Sequence, residues 1–344
     1  MRRADRAPVT KRTRRAQVRR PVRQPGEPVP RRHHLRVGAR KALRAGYHWP
    51  MFSYRHAFHA GNHADVLKHT VLIATLQHLI QKDAALTVLD THAGAGLYRL
   101  DGDYASTSGE AGDGILRLLS APALTPALQD YVDMVRAFNQ GSGTKVYPGS
   151  PFIAQRLLRG HDKLKVFELH PTDMRALAGN VAQLEAGRQV AVLHEDGFEG
   201  IKKFLPPPSR RALVLCDPSY EIKSDYGRVL DMVADSLKRF ATGTYAVWYP
   251  IIPRPEAHDL PRRLKTLAVK AGKSWLHATL TVKNSKLVES ADGEKRRPGL
   301  PASGMFLINP PFTLKAALKD ALPQMAELLQ QDRHAAHSLE SGGG

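Results

Sequence analysis

Three acidic positions and one glycine-rich turn carry the chemistry legible in this chain. The sharpest is Asp217-Pro218-Ser219-Tyr220, which closes an apolar run at 211–216 (RALVLC). A carboxylate followed by a proline carbonyl offers two hydrogen-bond acceptors side by side. Enzymes that methylate the amino group of adenine carry Asp/Asn-Pro-Pro-aromatic at such a place, because an aromatic amine is a poor nucleophile. Acceptors at Asp217 and Pro218 would draw the nitrogen toward tetrahedral geometry and expose its lone pair. Attack on a sulfonium methyl group then depends on placement and preorganised polarity, with no metal. The Tyr220 ring would stack on an unstacked base. Ser219 stands where the pattern has its second proline, which leaves the loop less rigid.

Asn309-Pro310-Pro311-Phe312 matches the same pattern more closely on paper. It follows the last strand of the chain, which in a methyltransferase topology runs antiparallel to the rest. Its end then lies on the edge away from the cofactor, and the prolines read as a strand terminator.

Upstream, Asp90-Thr91-His92-Ala93-Gly94-Ala95-Gly96 follows the run 86–90. Glycines between a strand and a helix let the backbone approach a ligand closely. A dinucleotide fingerprint needs a third glycine at position 99, where the chain has Arg99, so the turn suits S-adenosylmethionine better. Glu168 ends a second run and Asp196 follows a third. One carboxylate there can hold ribose hydroxyls and another an adenine amino group. Asp196, before Gly197, reads equally as a helix N-cap.

These positions need a frame that brings strand ends to one edge. Short apolar runs at 86–90, 164–169, 189–194, 211–216, 243–249, 275–282 and 304–309 alternate with helical patterns, among them 64–82, 171–186, 225–240 and 257–271. Such alternation predicts an α/β, doubly wound, mostly parallel seven-stranded sheet. The first two runs are too far apart for a simple crossover, so 103–160 is read as a helical insertion. Residues 331–344, ending Ser-Gly-Gly-Gly, read as a frayed disordered tail.

The chain has 344 residues and a formal net charge of +19. Residues 1–50 contain fourteen Arg and two Lys against Asp5 and Glu27, a net of +14, which leaves +5 for the remainder. This Arg- and Pro-rich stretch reads as a disordered basic extension, either an arm that tracks phosphates or translated sequence ahead of the start at Met51. The folded part is expected over 51–330. No apolar run is long enough for a membrane span, and the one cysteine, Cys216, forms no disulfide within the chain and suits a reducing cytoplasm. His56, His59, His63 and His69 lack the Cys or carboxylate partners of a zinc pattern, so no metal is expected.

The segment from Met51 through Phe58-His59-Ala60-Gly61-Asn62-His63-Ala64-Asp65 to Lys68-His69 closely resembles the N-terminus of the RlmJ family of 23S rRNA adenine-N6 methyltransferases. The similarity continues through the glycine-rich turn, Tyr147-Pro148-Gly149-Ser150-Pro151, Glu168-Leu169-His170-Pro171, the Asp217 motif, Trp248-Tyr249-Pro250 and Ala302-Ser303-Gly304-Met305. It covers 51 to about 325. The resemblance implies a Rossmann-like methyltransferase with a small helical subdomain and S-adenosylmethionine as cofactor. It implies cofactor contacts at His69, His92, Ser150, Glu168, Asp196 and Gly197, beside Gly94 of the turn, and Asp217 as the catalytic acceptor, beside Pro218 and Tyr220 of the motif. Tyr54 and Lys68 would bind substrate. It further implies methylation at N6 of adenine 2030 of 23S rRNA before full subunit assembly, by a cytoplasmic monomer with no membrane role. Arg55, Lys68 and the group Lys283, Lys286, Lys295, Arg296 and Arg297 are candidate phosphate contacts. A DNA adenine or protein amide methyltransferase uses related loops, but no extended target-recognition domain is visible. A non-catalytic RNA-binding protein would need none of Asp217, Glu168 and the glycine turn.

Overall fold

The computed structural model describes residues 59–101, 110–141, 143–286, 288–289, 295–296 and 299–343. The basic extension over 1–50, Tyr54, Arg55, His56 and Arg297 lie outside them.

The first helix, α1 (His63–Leu79), starts at Asn62, whose side chain accepts the backbone N–H groups of Ala64 and Asp65. Helices apolar on only one face lie on surfaces. This one is buried nearly all round, including Lys68 and His69, so it runs through the interior. β1 (Thr87–Asp90) follows. A small antiparallel pair, β2 (Leu97–Arg99) and β3 (Val146–Pro148), brackets α2 (Ile115–Leu119) and α3 (Pro126–Arg136). Next come α4 (Ser150–Leu157), β4 (Lys163–Phe167), α5 (Pro171–Ala182), β5 (Val190–Leu193), the short α6 (Gly197–Gly200) and β6 (Ala212–Cys216). The chain continues through α7 (Ser224–Arg239), β7 (Thr244–Ile251), α8 (Pro255–Lys270) and β8 (Trp275–Thr281). It ends with the pair β9 (Val288–Glu289) and β10 (Lys295–Arg296), β11 (Ala302–Ile308), α9 (Leu314–Leu329) and β12 (Ala336–Gly342).

The main sheet has eight strands in the order β12-β8-β11-β7-β6-β1-β4-β5. The pairs from β5 through β7 are parallel, while β11 is antiparallel to both β7 and β8. Residues of β6 alternate between two cores. Leu213 and Leu215 join the core shared with α1 and α9, and Ala212, Val214 and Cys216 join the other, with α7 and α8. Apolar side chains on both faces are what parallel strands covered on both sides require.

Two expectations change. Residues 336–342 do not fray: they form the eighth strand, antiparallel to β8 from Ala336 opposite Thr281 to Gly342 opposite Trp275. A Cβ on Gly342 would come within 2.9 Å of the Trp275 ring. The glycine that signals a loose end in sequence here lets backbone lie on an indole. The insertion is also shorter than 103–160. α4 is the crossover between parallel β1 and β4, which every such pair needs, so the inserted part ends before Ser150. Its helix α3 packs directly on α1 through Leu128, Tyr131, Val132 and Val135 in the core.

Asn309 sits at the amino edge, as expected of a residue after an antiparallel strand. Ile308 lies opposite Tyr245 and Trp275, near the starts of β7 and β8. The Asn309 side chain donates to the carbonyls of Ala241 and Gly243, and its own carbonyl accepts the Thr244 hydroxyl.

Candidate active site

The carboxyl ends of β1, β4, β5 and β6 gather Asp90, Glu168, Asp196 and Asp217 along one edge. The glycine turn is fixed against it by Thr91 N–H to the Leu215 carbonyl (3.0 Å) and Ala93 N–H to the Phe167 carbonyl (2.9 Å). Gly94 and Gly96 have φ of +59° and +77°. A Cβ on Gly94 would lie 2.3 Å from the Tyr98 hydroxyl, and one on Gly96 would lie 2.7 Å from the Phe152 ring. Both the dihedral and the space therefore require glycine.

Glu168 braces this turn. Its Oε2 accepts Gly94 N–H at 2.8 Å and its Oε1 accepts His170 N–H at 2.7 Å. Burial pushes its carboxyl above the usual range, and these bonds pull the other way. Each oxygen keeps a lone pair for a further donor. Asp196 acts as the N-cap of α6, accepting Phe198 N–H at 3.0 Å, and pairs through its other oxygen with Arg228. Gly197 is held so near the turn that a Cβ would lie 2.0 Å from the Thr91 carbonyl. The Arg228 guanidinium also lies 4.3 Å from the centre of the Phe198 ring, which meets His92 edge-on at 4.7 Å. Burial lowers the pKa of His92 to about 4, with Asp196 opposing, so its imidazole is neutral at neutral pH.

Ser150 opens α4 and donates its hydroxyl to Asp90 Oδ2 at 2.6 Å. His69 is fully buried, with Nδ1 2.6 Å from the Tyr147 hydroxyl, which lies 2.9 Å from that of Tyr131. A row of polar contacts thus ties α1 to the inserted segment.

Asp217 meets α1. Its Oδ2 accepts from Lys68 Nζ at 2.5 Å, and the same ammonium reaches Asp65 Oδ1 at 2.8 Å. Asp65 Oδ2 accepts Gly61 N–H at 2.9 Å. Burial alone would discharge Lys68, but the two carboxylates outweigh it and keep the ammonium charged. This corrects the reading of Lys68 as a phosphate or substrate contact: at 5% exposure its charge is used inside the protein to hold Asp217. Tyr220 also differs from expectation. It has φ +54°, which turns its side chain inward. The ring is 2% exposed and lies against Tyr226 and Trp248, with the hydroxyl donating to the Trp248 carbonyl at 2.7 Å. No face of it is open to a base. Pro218 is buried and Ser219 exposed.

Asp65, Asp90, Arg228 and Arg254 escaped the sequence reading as site residues. Asp65 carried a findable signal, since Asp and Lys three residues apart share a helix face. The others pair across long sequence separations, where spacing says nothing.

Among the described residues, no donor set at this edge resembles a pyrophosphate cradle. The residues present fit S-adenosylmethionine: a glycine turn that any Cβ would fill, a braced carboxylate at Glu168, an N-cap carboxylate at Asp196 and a neutral imidazole at His92. Sheet and site together define a Rossmann-like, S-adenosylmethionine-dependent methyltransferase.

The comparisons narrow the class. The family model described as "Ribosomal RNA large subunit methyltransferase D, RlmJ" matches residues 83–340. The chain is 41% identical over 273 residues to "Ribosomal RNA large subunit methyltransferase J" of Escherichia coli K12, covering 79% of this chain and 92% of that one. It is 39% identical over 291 residues to the protein of the same name from Haemophilus influenzae, covering 84% and 98%. The crystal structure of protein LPL1258 from Legionella pneumophila superposes with a TM-score of 0.72 at 31% identity, covering 83% of this chain and 98% of that one. The chain belongs to the RlmJ family of ribosomal RNA large subunit methyltransferases. Among the described residues, no helix is long and apolar enough to cross a membrane.

Proposed function

We propose that this protein methylates the N6 amino group of one adenine in 23S rRNA, adenine 2030, and acts on the rRNA before subunit assembly is complete. The observation that carries the reading is the placement of Asp217. It stands beside the glycine turn on the carboxyl edge, with one oxygen held by Lys68 and the other free of that bond. S-adenosylmethionine, when bound, supplies an electrophilic methyl group. Glu168, Asp196, His92 and Gly94 would hold it, with Ser150 and His69 behind them. Asp217 Oδ1 and the Pro218 carbonyl are then the acceptors for the two N6–H groups. Drawing both hydrogens toward these acceptors pulls the nitrogen toward tetrahedral geometry and turns its lone pair toward the methyl carbon, so placement rather than strong basicity lowers the barrier. The N–C bond would form as the sulfonium S–C bond breaks, with one N6 proton passing to Asp217 Oδ1. The fixed Lys68 ammonium keeps the carboxylate from rotating as the base enters. A target so deep in the edge must be single-stranded or flipped out.

The test is methyl transfer from labelled S-adenosylmethionine to protein-free 23S rRNA, with duplex DNA as the competing substrate. Label is expected in rRNA as N6-methyladenine. Asp217→Ala abolishes it, while Asn309→Ala retains it, because Asn309 caps carbonyls on the opposite edge. Label in DNA instead, or full activity in Asp217→Ala, would overturn the reading.

A further inference from the structure

The departure at Ser219 has a counterpart elsewhere in the chain. A second proline at that place would fix φ and dispense with one backbone N–H, so the motif loop would be stiff by composition. Here that residue is an exposed serine, and the next, Tyr220, holds a left-handed φ of +54°. A bulky residue persists in that region only where its surroundings over-determine it. The contacts that do so come from β7 and the turn after it. The Tyr220 hydroxyl donates to the Trp248 carbonyl at 2.7 Å. Arg254 Nη1 donates to the Tyr220 carbonyl at 3.1 Å. Arg254 is itself fixed in a tight corner: its N–H bonds the Ile252 carbonyl at 2.7 Å, and Pro255 opens α8 directly after it. The guanidinium is half-buried and reaches 34 residues back along the chain to the loop.

We propose that Arg254 is a positioning residue, which clamps the Tyr220 carbonyl and supplies to the Asp217–Tyr220 loop the rigidity that a second proline would otherwise give. It acts through the loop and touches neither base nor methyl donor. The Lys68 bond fixes the first residue of the loop and the Arg254 bond the last, so the Pro218 carbonyl between them keeps its direction. This inference rests on the proposed reaction only for its kinetic test.

The experiment compares Arg254→Ala, Arg254→Lys and the double variant Arg254→Ala with Ser219→Pro, each checked by thermal denaturation to be folded. Arg254→Ala is expected to lower kcat on 23S rRNA by the order of a hundredfold, the effect of an ångström-scale misplacement, with KM for S-adenosylmethionine unchanged. Backbone hydrogen exchange in the peptide spanning 217–222 should accelerate. Arg254→Lys, which keeps a donor, loses less. Adding Ser219→Pro to Arg254→Ala should return most of the kcat and slow the exchange again. Unchanged kcat and exchange in Arg254→Ala overturn the proposal. So does a loss that Ser219→Pro leaves in place, which would assign Arg254 to RNA contact or to the fold. If the wild-type protein fails to methylate rRNA, the reaction assignment falls, and the exchange measurement still decides the clamp.

Discussion

A carboxylate with 1% exposure is costly to ionise, and Asp90 is such a group. Burial pushes its carboxyl up to about 6, the Ser150 hydroxyl pulls it down, and the nearby Asp217 raises it further. The folded pKa therefore lies above the ordinary 3.8. The fold prefers protonated Asp90, so its favourable contribution is complete below about pH 4 and is lost as pH rises through about 6. Asp90→Asn keeps an acceptor for Ser150 and removes the buried charge. Its melting temperature should match the wild type at low pH and exceed it progressively from about pH 4 to above 6. A constant offset at every pH would show that Asp90 is not titrating in that window. Asp217, Glu168 and the glycine turn were legible in sequence because each closes an apolar run, and residue type alone limits what can stand there. What holds them was not legible. Lys68 meets Asp217 across 149 residues and Arg228 meets Asp196 across 32. The inward turn of Tyr220 depends on one dihedral that the motif does not encode.

At the level of elements, strand–helix alternation was readable because both faces of the parallel strands are buried, which leaves short continuous apolar runs. The antiparallel direction of β11 followed from the same topology and separated the Asn309 motif from the Asp217 motif. The last strand was unreadable. Its residues are largely exposed, its glycines cue disorder, and its order comes from β8 rather than from itself. Leu339 of β12 packs on the core, and Ser338 meets Thr279 hydroxyl to hydroxyl at 2.6 Å. Deleting residues 335–344 should therefore lower the melting temperature and promote association, because it bares the ladder groups of β8 and one face of Trp275. Turnover measured well below that temperature should persist, since β11 and β7 stand in the sheet between β8 and the strand that carries the motif loop. An unchanged melting temperature would mean that the eighth strand adds nothing to stability.

For the molecule as a whole, charge is distributed very unevenly. Residues 1–50 hold +14 of the net +19, while every residue assigned to the site among the described ones lies at position 65 or beyond. Charge of that density attracts phosphate without regard to sequence, and the attraction falls steeply with salt through counterion release. It changes how much RNA is bound and leaves the barrier at the carboxyl edge untouched. Removal of residues 1–50 is thus expected to leave kcat unchanged. It should raise KM for rRNA at low ionic strength, make the dependence of log KM on log salt shallower, and bring the two proteins together at high salt. A fall in kcat after truncation would place part of the extension within reach of the reacting base. An unchanged salt dependence would mean that its arginines never engage the RNA, and that the +5 of the remaining chain carries all of the electrostatic attraction.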